Sequence, residues 1–210
     1  MRHTDEEIKQ TAFIGITGGV GSGKSEVMKY LMENTSCAVF QADEEAKKLY
    51  IPGSPVFDKI VKILGEDVLD EKGFPDKERY SKKLFGNTGL RDEINAIVHP
   101  AVLSLILDRM AAERISGRHD YFFVEAALLI ECGYGEILNE LWYVYASPET
   151  RRKRLKETRG YSDEKVDAIY DSQLSDEEYR KHCARIINND GSIEEMRSSV
   201  DQILKEFNKK

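Results

Sequence analysis

A three-layer α/β/α domain built on a five-stranded parallel sheet is the fold class this sequence predicts, and three observations lead to it. Near the N-terminus a short apolar run passes directly into a glycine-rich string and then into a stretch of helical apolar spacing. Four further short runs of β-branched and aromatic residues follow, separated by charged segments of helical period, which is the pattern of parallel strands joined by crossover helices. The runs are unevenly spaced: about eighty residues part the second from the third, where a crossover needs only about a dozen.

The first run, Phe13-Ile14-Gly15-Ile16-Thr17, predicts a buried strand. It feeds Gly18-Gly19-Val20-Gly21-Ser22-Gly23-Lys24-Ser25, a complete G-x-x-x-x-G-K-[ST] string, and the apolar spacing of Val27, Met28 and Leu31 predicts a helix beginning near Gly23. By chance a chain of this size offers such a string about once in a hundred tries at ordinary residue frequencies, and the strand-loop-helix context makes chance rarer still. The motif implies a nucleoside triphosphate with Mg²⁺. Glycines let successive backbone N–H groups converge on phosphate oxygens, and the helix adds its positive dipole end. Lys24 brings a charge to the β- and γ-phosphates, and the Ser25 hydroxyl is a Mg²⁺ ligand. Gly18 through Ser25, with Glu26 in the first helical turn, are the candidate nucleotide-binding residues.

The second strand is expected at Ala38-Val39-Phe40, with Asp43 just beyond it. A carboxylate at the carboxyl end of a neighbouring parallel strand can orient and deprotonate an acceptor hydroxyl. Asp43 is equally suited to cap a helix starting at Glu44, and the residues alone leave both roles open.

The long interval that follows predicts an inserted helical subdomain over about 44–118. Ser54-Pro55 starts a helix through Phe57, Ile60, Val61 and Leu64 that Gly65 ends. Residues 91–114 carry a second helical pattern, interrupted at His99-Pro100, where proline marks a break or a start. Asp70-Glu71-Lys72-Gly73 fits a D-x-x-G string, but it lies in a polar stretch with no guanine-reading N-K-x-D motif after it and reads as a turn.

The third and fourth strands are expected at Tyr121-Phe122-Phe123-Val124 and Leu141-Trp142-Tyr143-Val144-Tyr145. Between the fourth strand and the fifth, at Ala184-Arg185-Ile186-Ile187, residues 148–180 form a charged segment suited to cover a nucleotide. Its Arg151-Arg152-Lys153-Arg154 string is either a solvated helix face or a source of cations for phosphoryl transfer. Ser192 then reads as the N-cap of a last helix through Met196, Val200, Ile203, Leu204 and Phe207.

With 210 residues, 40% of them hydrophobic, the chain suits one domain with insertions. A formal net charge of −7 argues against a generic nucleic-acid binder, although a local basic pocket remains compatible. Cys37, Cys132 and Cys183 show no CxxC pair or zinc spacing and read as reduced, buried thiols, which points to the cytoplasm. No apolar run approaches membrane-spanning length, and residues 1–12 are polar and charged rather than a signal segment. No membrane or nucleic-acid partner is expected, and the oligomeric state stays open.

Eight elements occur in one order: the loop from Thr17 to Ser25, Gln41-Ala42-Asp43, Pro52-Gly53-Ser54-Pro55, Gly65-Glu66-Asp67-Val68-Leu69, His99-Pro100, Glu125-Ala126-Ala127-Leu128-Leu129-Ile130-Glu131, Ser147-Pro148-Glu149-Thr150 and Asn188-Asn189-Asp190-Gly191. In these the chain resembles the dephospho-CoA kinase family over almost its whole length. The resemblance implies a P-loop NTPase fold and transfer of the ATP γ-phosphate to the ribose 3′-hydroxyl of dephospho-CoA, the last step of coenzyme A synthesis. It implies a single domain over 1–210 with a core at 12–43, 119–147 and 181–210, a helical CoA-binding insertion at about 44–118 and a lid at about 148–180.

Carried onto this sequence, the family pattern makes Asp43 the base, with Lys24 and Arg154 also catalytic. Asn189 joins the nucleotide-binding residues, and Ser25 and Glu125 serve Mg²⁺. Asp43, Lys47, Arg91, His99 and Glu131 fall to the substrate. His99 reads equally as a packing or capping histidine, Arg91 as a solvated helix charge and Glu131 as the end of a strand loop. Departures from the family fall at Gln41 for an acid, Lys47 for Arg or His, Glu125 for Asp and Ala127 for Pro. In the lid, two basic positions are Thr158 and Ile169, with Arg159 as a candidate substitute for the first. A kinase of another small hydroxyl compound and a non-catalytic nucleotide-binding module are the competing readings. Retention of Lys24, Ser25 and Asp43 speaks against the second.

Overall fold

A computed structural model describes residues 10–209. Its sheet has five parallel strands in the order β2-β3-β1-β4-β5, with helices on both faces. β1 (Ala12–Thr17) lies at the centre and leads through the glycine loop into α1 (Lys24–Asn34), which returns to β2 (Cys37–Gln41) at one edge. β3 (Tyr121–Glu125) pairs with β1 on one side, bringing Glu125 level with Ile16. β4 (Glu140–Tyr145) pairs on the other, bringing Tyr143 level with Thr17. β5 (Arg185–Asn188) completes that edge. The direction of strand succession reverses around β1, so the crevice for a ligand opens at its carboxyl end, where the glycine loop stands.

Burial on both faces explains the near-continuous apolar runs. Ile14, Ile16, Phe123, Trp142, Val144 and Ile187 pack with Val27, Met28 and Leu31 of α1 and with Met196, Val200 and Ile203 of α9 (Ile193–Phe207). On the opposite face Tyr143 stacks on Tyr179 with ring centroids 4.6 Å apart. Tyr179 belongs to α8 (Asp176–His182), which follows α6 (Pro148–Arg159) and α7 (Asp163–Asp171). The expected N-cap of α9 is a full capping box: Ser192 accepts from the Glu195 amide, and the Glu195 carboxylate accepts from the Ser192 amide.

Two compact units divide the chain. One holds the chain through Phe40 and from Met110 onward; the other is Gln41–Arg109. The second contains α2 (Ala42–Lys48), α3 (Pro55–Leu64), α4 (Lys77–Leu84) and most of α5 (Thr88–Ser116). Ser54 caps α3 by accepting from Val56 N–H, and Pro55 fills the first turn. Asp70 closes the expected turn, its Oδ1 accepting from the amides of Lys72 and Phe74, each at 2.9 Å.

Four expectations are corrected. The helix at residues 91–114 is not interrupted, because α5 continues through Pro100. Its seam of Ile94, Val98, Val102, Ile106 and Met110 is buried, whereas Ala96, the residue whose carbonyl Pro100 leaves without an amide, is exposed along with Pro100. Burial of five apolar side chains outweighs a proline cost of about 3 kcal/mol when the freed carbonyl can face water. The same helix is long and apolar enough to cross a membrane by length and composition, with an 18-residue window of mean hydropathy 1.3. The expectation that no apolar run approaches membrane-spanning length is corrected for this helix, whose buried i, i+4 seam is also how a helix packs within a protein.

Asp43 is not an N-cap. α2 starts one residue before it, at Ala42, and Gln41 holds the cap position without a side-chain bond. The cysteines are free thiols but half-buried rather than buried. Burial still pushes the Cys183 thiol up to about 12, and it raises that of Cys37.

Candidate functional site

Gly23 adopts φ 90° as the N-cap of α1, a left-handed backbone that a side chain would strain. A Cβ there would also strike the Asn189 amide, so the loop can turn into α1 here only as glycine. Lys24 folds back to give its ammonium to the Gly18 carbonyl at 2.7 Å. The loop ends at the N-terminus of an eleven-residue helix, whose first amides and dipole suit an anion. The buried hydroxyls of Thr17 and Ser22 find no hydrogen-bond partner among the described residues.

Several elements brace this loop. Asn189, 5% exposed just beyond β5, donates Nδ2–H to the Ser22 carbonyl at 2.7 Å. Arg154 on α6 donates to the Asn189 carbonyl at 2.9 Å and to the Ser22 carbonyl at 3.3 Å. Asp190 accepts from Ser147 N–H at 2.8 Å at the start of α6. Hydrogen bonds from Thr150 and then Ser147 hold the Asp190 carboxyl below its ordinary range.

Two residues that the sequence did not single out as ligands reach the loop tip. Arg151 donates Nε–H to the Val20 carbonyl at 2.9 Å and Nη2–H to Gln173 Oε1 at 2.6 Å. Gln173 Oε1 also accepts the Val20 amide at 3.1 Å. Helical spacing offered one signal, since Arg151 stands three residues before Arg154 on the same face. Gln173, between α7 and α8, carried none.

Glu125 ends β3 at 9% exposure, beside Ile16, and Ser25 is exposed in the first turn of α1. Among the described residues no group of three or more His, Cys, Asp or Glu is gathered to hold a metal. A sparse protein donor set fits Mg²⁺, which keeps several waters and binds through one or two side chains plus phosphate oxygens. Glu26 lies one residue further into α1, its amide bonded to the Gly23 carbonyl at 3.0 Å. Glu131 is exposed and raises the hydroxyl pKa of Tyr179, although burial is the larger cause there.

The remaining candidates belong to the unit Gln41–Arg109. Asp43 is exposed in the first turn of α2, and its carboxylate forms no hydrogen bond or ion pair among the described residues. Lys47 is exposed and pairs with Glu44 at 2.6 Å. Arg91 is exposed near the start of α5, while His99 is half-buried, and burial lowers its imidazole pKa. At the end of α6, Arg159 is exposed with its guanidinium 5.9 Å from the Tyr161 ring. Thr158 turns its hydroxyl back to the Arg154 carbonyl at 2.6 Å.

A phosphate loop after the central strand of this parallel sheet, with helices on both faces, defines the P-loop kinase class. A family model described as dephospho-CoA kinase matches residues 12–195. The chain is 34% identical over 194 residues to a dephospho-CoA kinase of Carboxydothermus hydrogenoformans, covering 92% of this chain and 93% of the relative. The crystal structure of TT1252 from Thermus thermophilus superposes with a TM-score of 0.79 at 28% identity, covering 94% of this chain and 98% of that one. A dephospho-CoA kinase from Campylobacter jejuni shares the fold, with a TM-score of 0.61 at 23% identity over 93% of this chain and 97% of its own. The chain belongs to the dephospho-CoA kinase family.

Proposed function

We propose that this protein transfers the γ-phosphate of ATP to the ribose 3′-hydroxyl of dephospho-CoA, releasing coenzyme A and ADP in the cytoplasm. The observation that carries this reading is the family match over residues 12–195, which spans the phosphate loop, Asp43 and the helices of the lid. Residues at about 44–118 bind the CoA moiety, about 148–180 form the lid, and the remaining segments from 12 to 210 make up the core.

In the reaction the 3′-oxygen bonds to the γ-phosphorus as the bond to the β,γ-bridging oxygen breaks, and Asp43 accepts the hydroxyl proton. Lys24, with the loop residues from Gly18 to Ser25, holds the β- and γ-phosphates. Arg154 neutralises charge that builds on the departing ADP oxygens. Asn189 and Glu26 complete the nucleotide site. Lys47, Arg91, His99 and Glu131 orient dephospho-CoA. Ser25 and Glu125 would hold Mg²⁺, Glu125 through a bound water, and the ion supplies Lewis-acid stabilisation of phosphate oxygens.

Coupled ADP release measured with dephospho-CoA, adenosine and shikimate as separate acceptors tests the proposal. Turnover with dephospho-CoA alone supports it; turnover only with another acceptor assigns the chain to a different small hydroxyl compound. No acceptor-dependent release at all leaves the nucleotide-binding module.

A further inference from the structure

The four basic residues at the start of α6 are not used alike. Arg152 is neutralised inside the lid by Asp163 at 2.9 Å and by Asp167, and Lys153 is exposed. Arg154 gives one donor each to the Asn189 and Ser22 carbonyls, at the helix end of the loop. Arg151 reaches the loop tip instead. Its guanidinium is half-buried between the Tyr170 ring, 4.5 Å from the centroid, and the backbone of Gly19, where any Cβ would collide with it. It has no carboxylate partner among the described residues. Among the described residues two of its donors are engaged, by the Val20 carbonyl and by Gln173. A guanidinium carries five N–H groups, so three remain to face an incoming anion.

The bonds around it form a closed ring. Val20 N–H donates to Gln173 Oε1, Arg151 Nη2–H donates to the same oxygen, and Arg151 Nε–H donates to the Val20 carbonyl. A planar fork held at two points and stacked on a ring loses little freedom on meeting a phosphate. The helix end of the loop, at Gly23 and Lys24, carries the α1 dipole and suits the β-phosphate. Val20, at the loop tip, is the point that Arg151 and Gln173 hold instead.

From this geometry we infer that Arg151 is the lid cation that contacts the transferred phosphoryl group, with Gln173 as the residue that positions it. The assignment rests on the proposed use of ATP. It gives Arg151 the charge that Thr158 and Ile169 do not supply, whereas Arg159 stays exposed beside Tyr161.

The test compares Arg151→Met, Arg151→Lys, Gln173→Met and the double Met variant, with Lys153→Met as a control, using the full chain. Arg151→Met is expected to lower kcat by about 10²–10³-fold, the cost of removing one preorganised donor to a developing anion. KM for dephospho-CoA should change by less than about twofold, because the guanidinium meets the phosphoryl donor and not the acceptor. Arg151→Lys should recover part of the loss, because it keeps the charge without the fork. Gln173→Met should cost about tenfold alone and nothing further on top of Arg151→Met, because it acts only through that guanidinium.

A kcat for Arg151→Met within about threefold of the control, in a variant whose melting temperature is intact, overturns the assignment of Arg151. Multiplicative losses in the double variant overturn that of Gln173. Calorimetry with a non-hydrolysable ATP analogue and with ADP separates this from failure of the proposed reaction, since it needs no acceptor. Arg151→Met is expected to lose affinity for the analogue and keep it for ADP even if dephospho-CoA proves not to be the substrate, and equal affinities for both ligands in variant and control overturn the phosphoryl contact.

Discussion

Lys24 keeps its ammonium 2.7 Å from the Gly18 carbonyl, so its position is set by the loop it serves. Lys24→Ala is expected to lower kcat by about 10²-fold or more through lost charge stabilisation, with a thermal midpoint close to the parent's. A melt that falls as far as the activity would assign the residue to folding instead. At His99 the sign of the pH effect follows from burial, which lowers the folded-state pKa below the ordinary 6.5. Below about 6.5 the unfolded chain takes up a proton that the folded chain resists, so stability falls as pH drops through that value. Asp67, Asp163 and Asp190 have lowered pKa values, and their contribution is lost only further into acid, below the ordinary carboxylate range. Thermal melts between pH 7.5 and 5 should therefore drop in the parent and flatten in His99→Gln; parallel curves would show that His99 is not the titrating group.

Helix α5 was legible as apolar periodicity, yet its continuity was not. A local rule stops a helix at proline, whereas the buried seam from Ile94 to Met110 is a long-range reward that carries the helix on. Pro100→Ala restores an amide opposite the Ala96 carbonyl and should raise stability, by up to about 3 kcal/mol if the backbone closes fully. Chemical denaturation measures this, and an unchanged or lower midpoint would mean that the proline is itself needed for packing. Helix α6 shows the opposite balance. Ser147, the expected turn residue, accepts from the Thr150 amide as N-cap, and Asp190 fixes the same corner from beyond β5. Local capping and a distant carboxylate together aim Arg151 and Arg154 at the loop.

For the molecule as a whole, the phosphate loop lies in one compact unit and Asp43 in the other, so the roles proposed for them can be tested by separate mutations. Asp43→Asn should keep ATP affinity and lose about 10²–10⁴-fold in kcat, the usual contribution of a general base. A loss under about fivefold would leave Asp43 an acidic first-turn residue that favours the helix dipole. The five strands, the phosphate loop, the caps at Ser54 and Ser192 and the uneven spacing that announced an insertion were all determined by the sequence alone. Each depends on neighbours within a few residues, where backbone propensity, apolar period and side-chain capping act directly. Only the tertiary structure decided the strand order, the unbroken α5 and the ring through Val20, Arg151 and Gln173, whose members lie 131 and 153 residues from the loop. Such contacts arise when the sheet brings distant segments to one edge, and no local period or spacing in the chain encodes which side chains then meet.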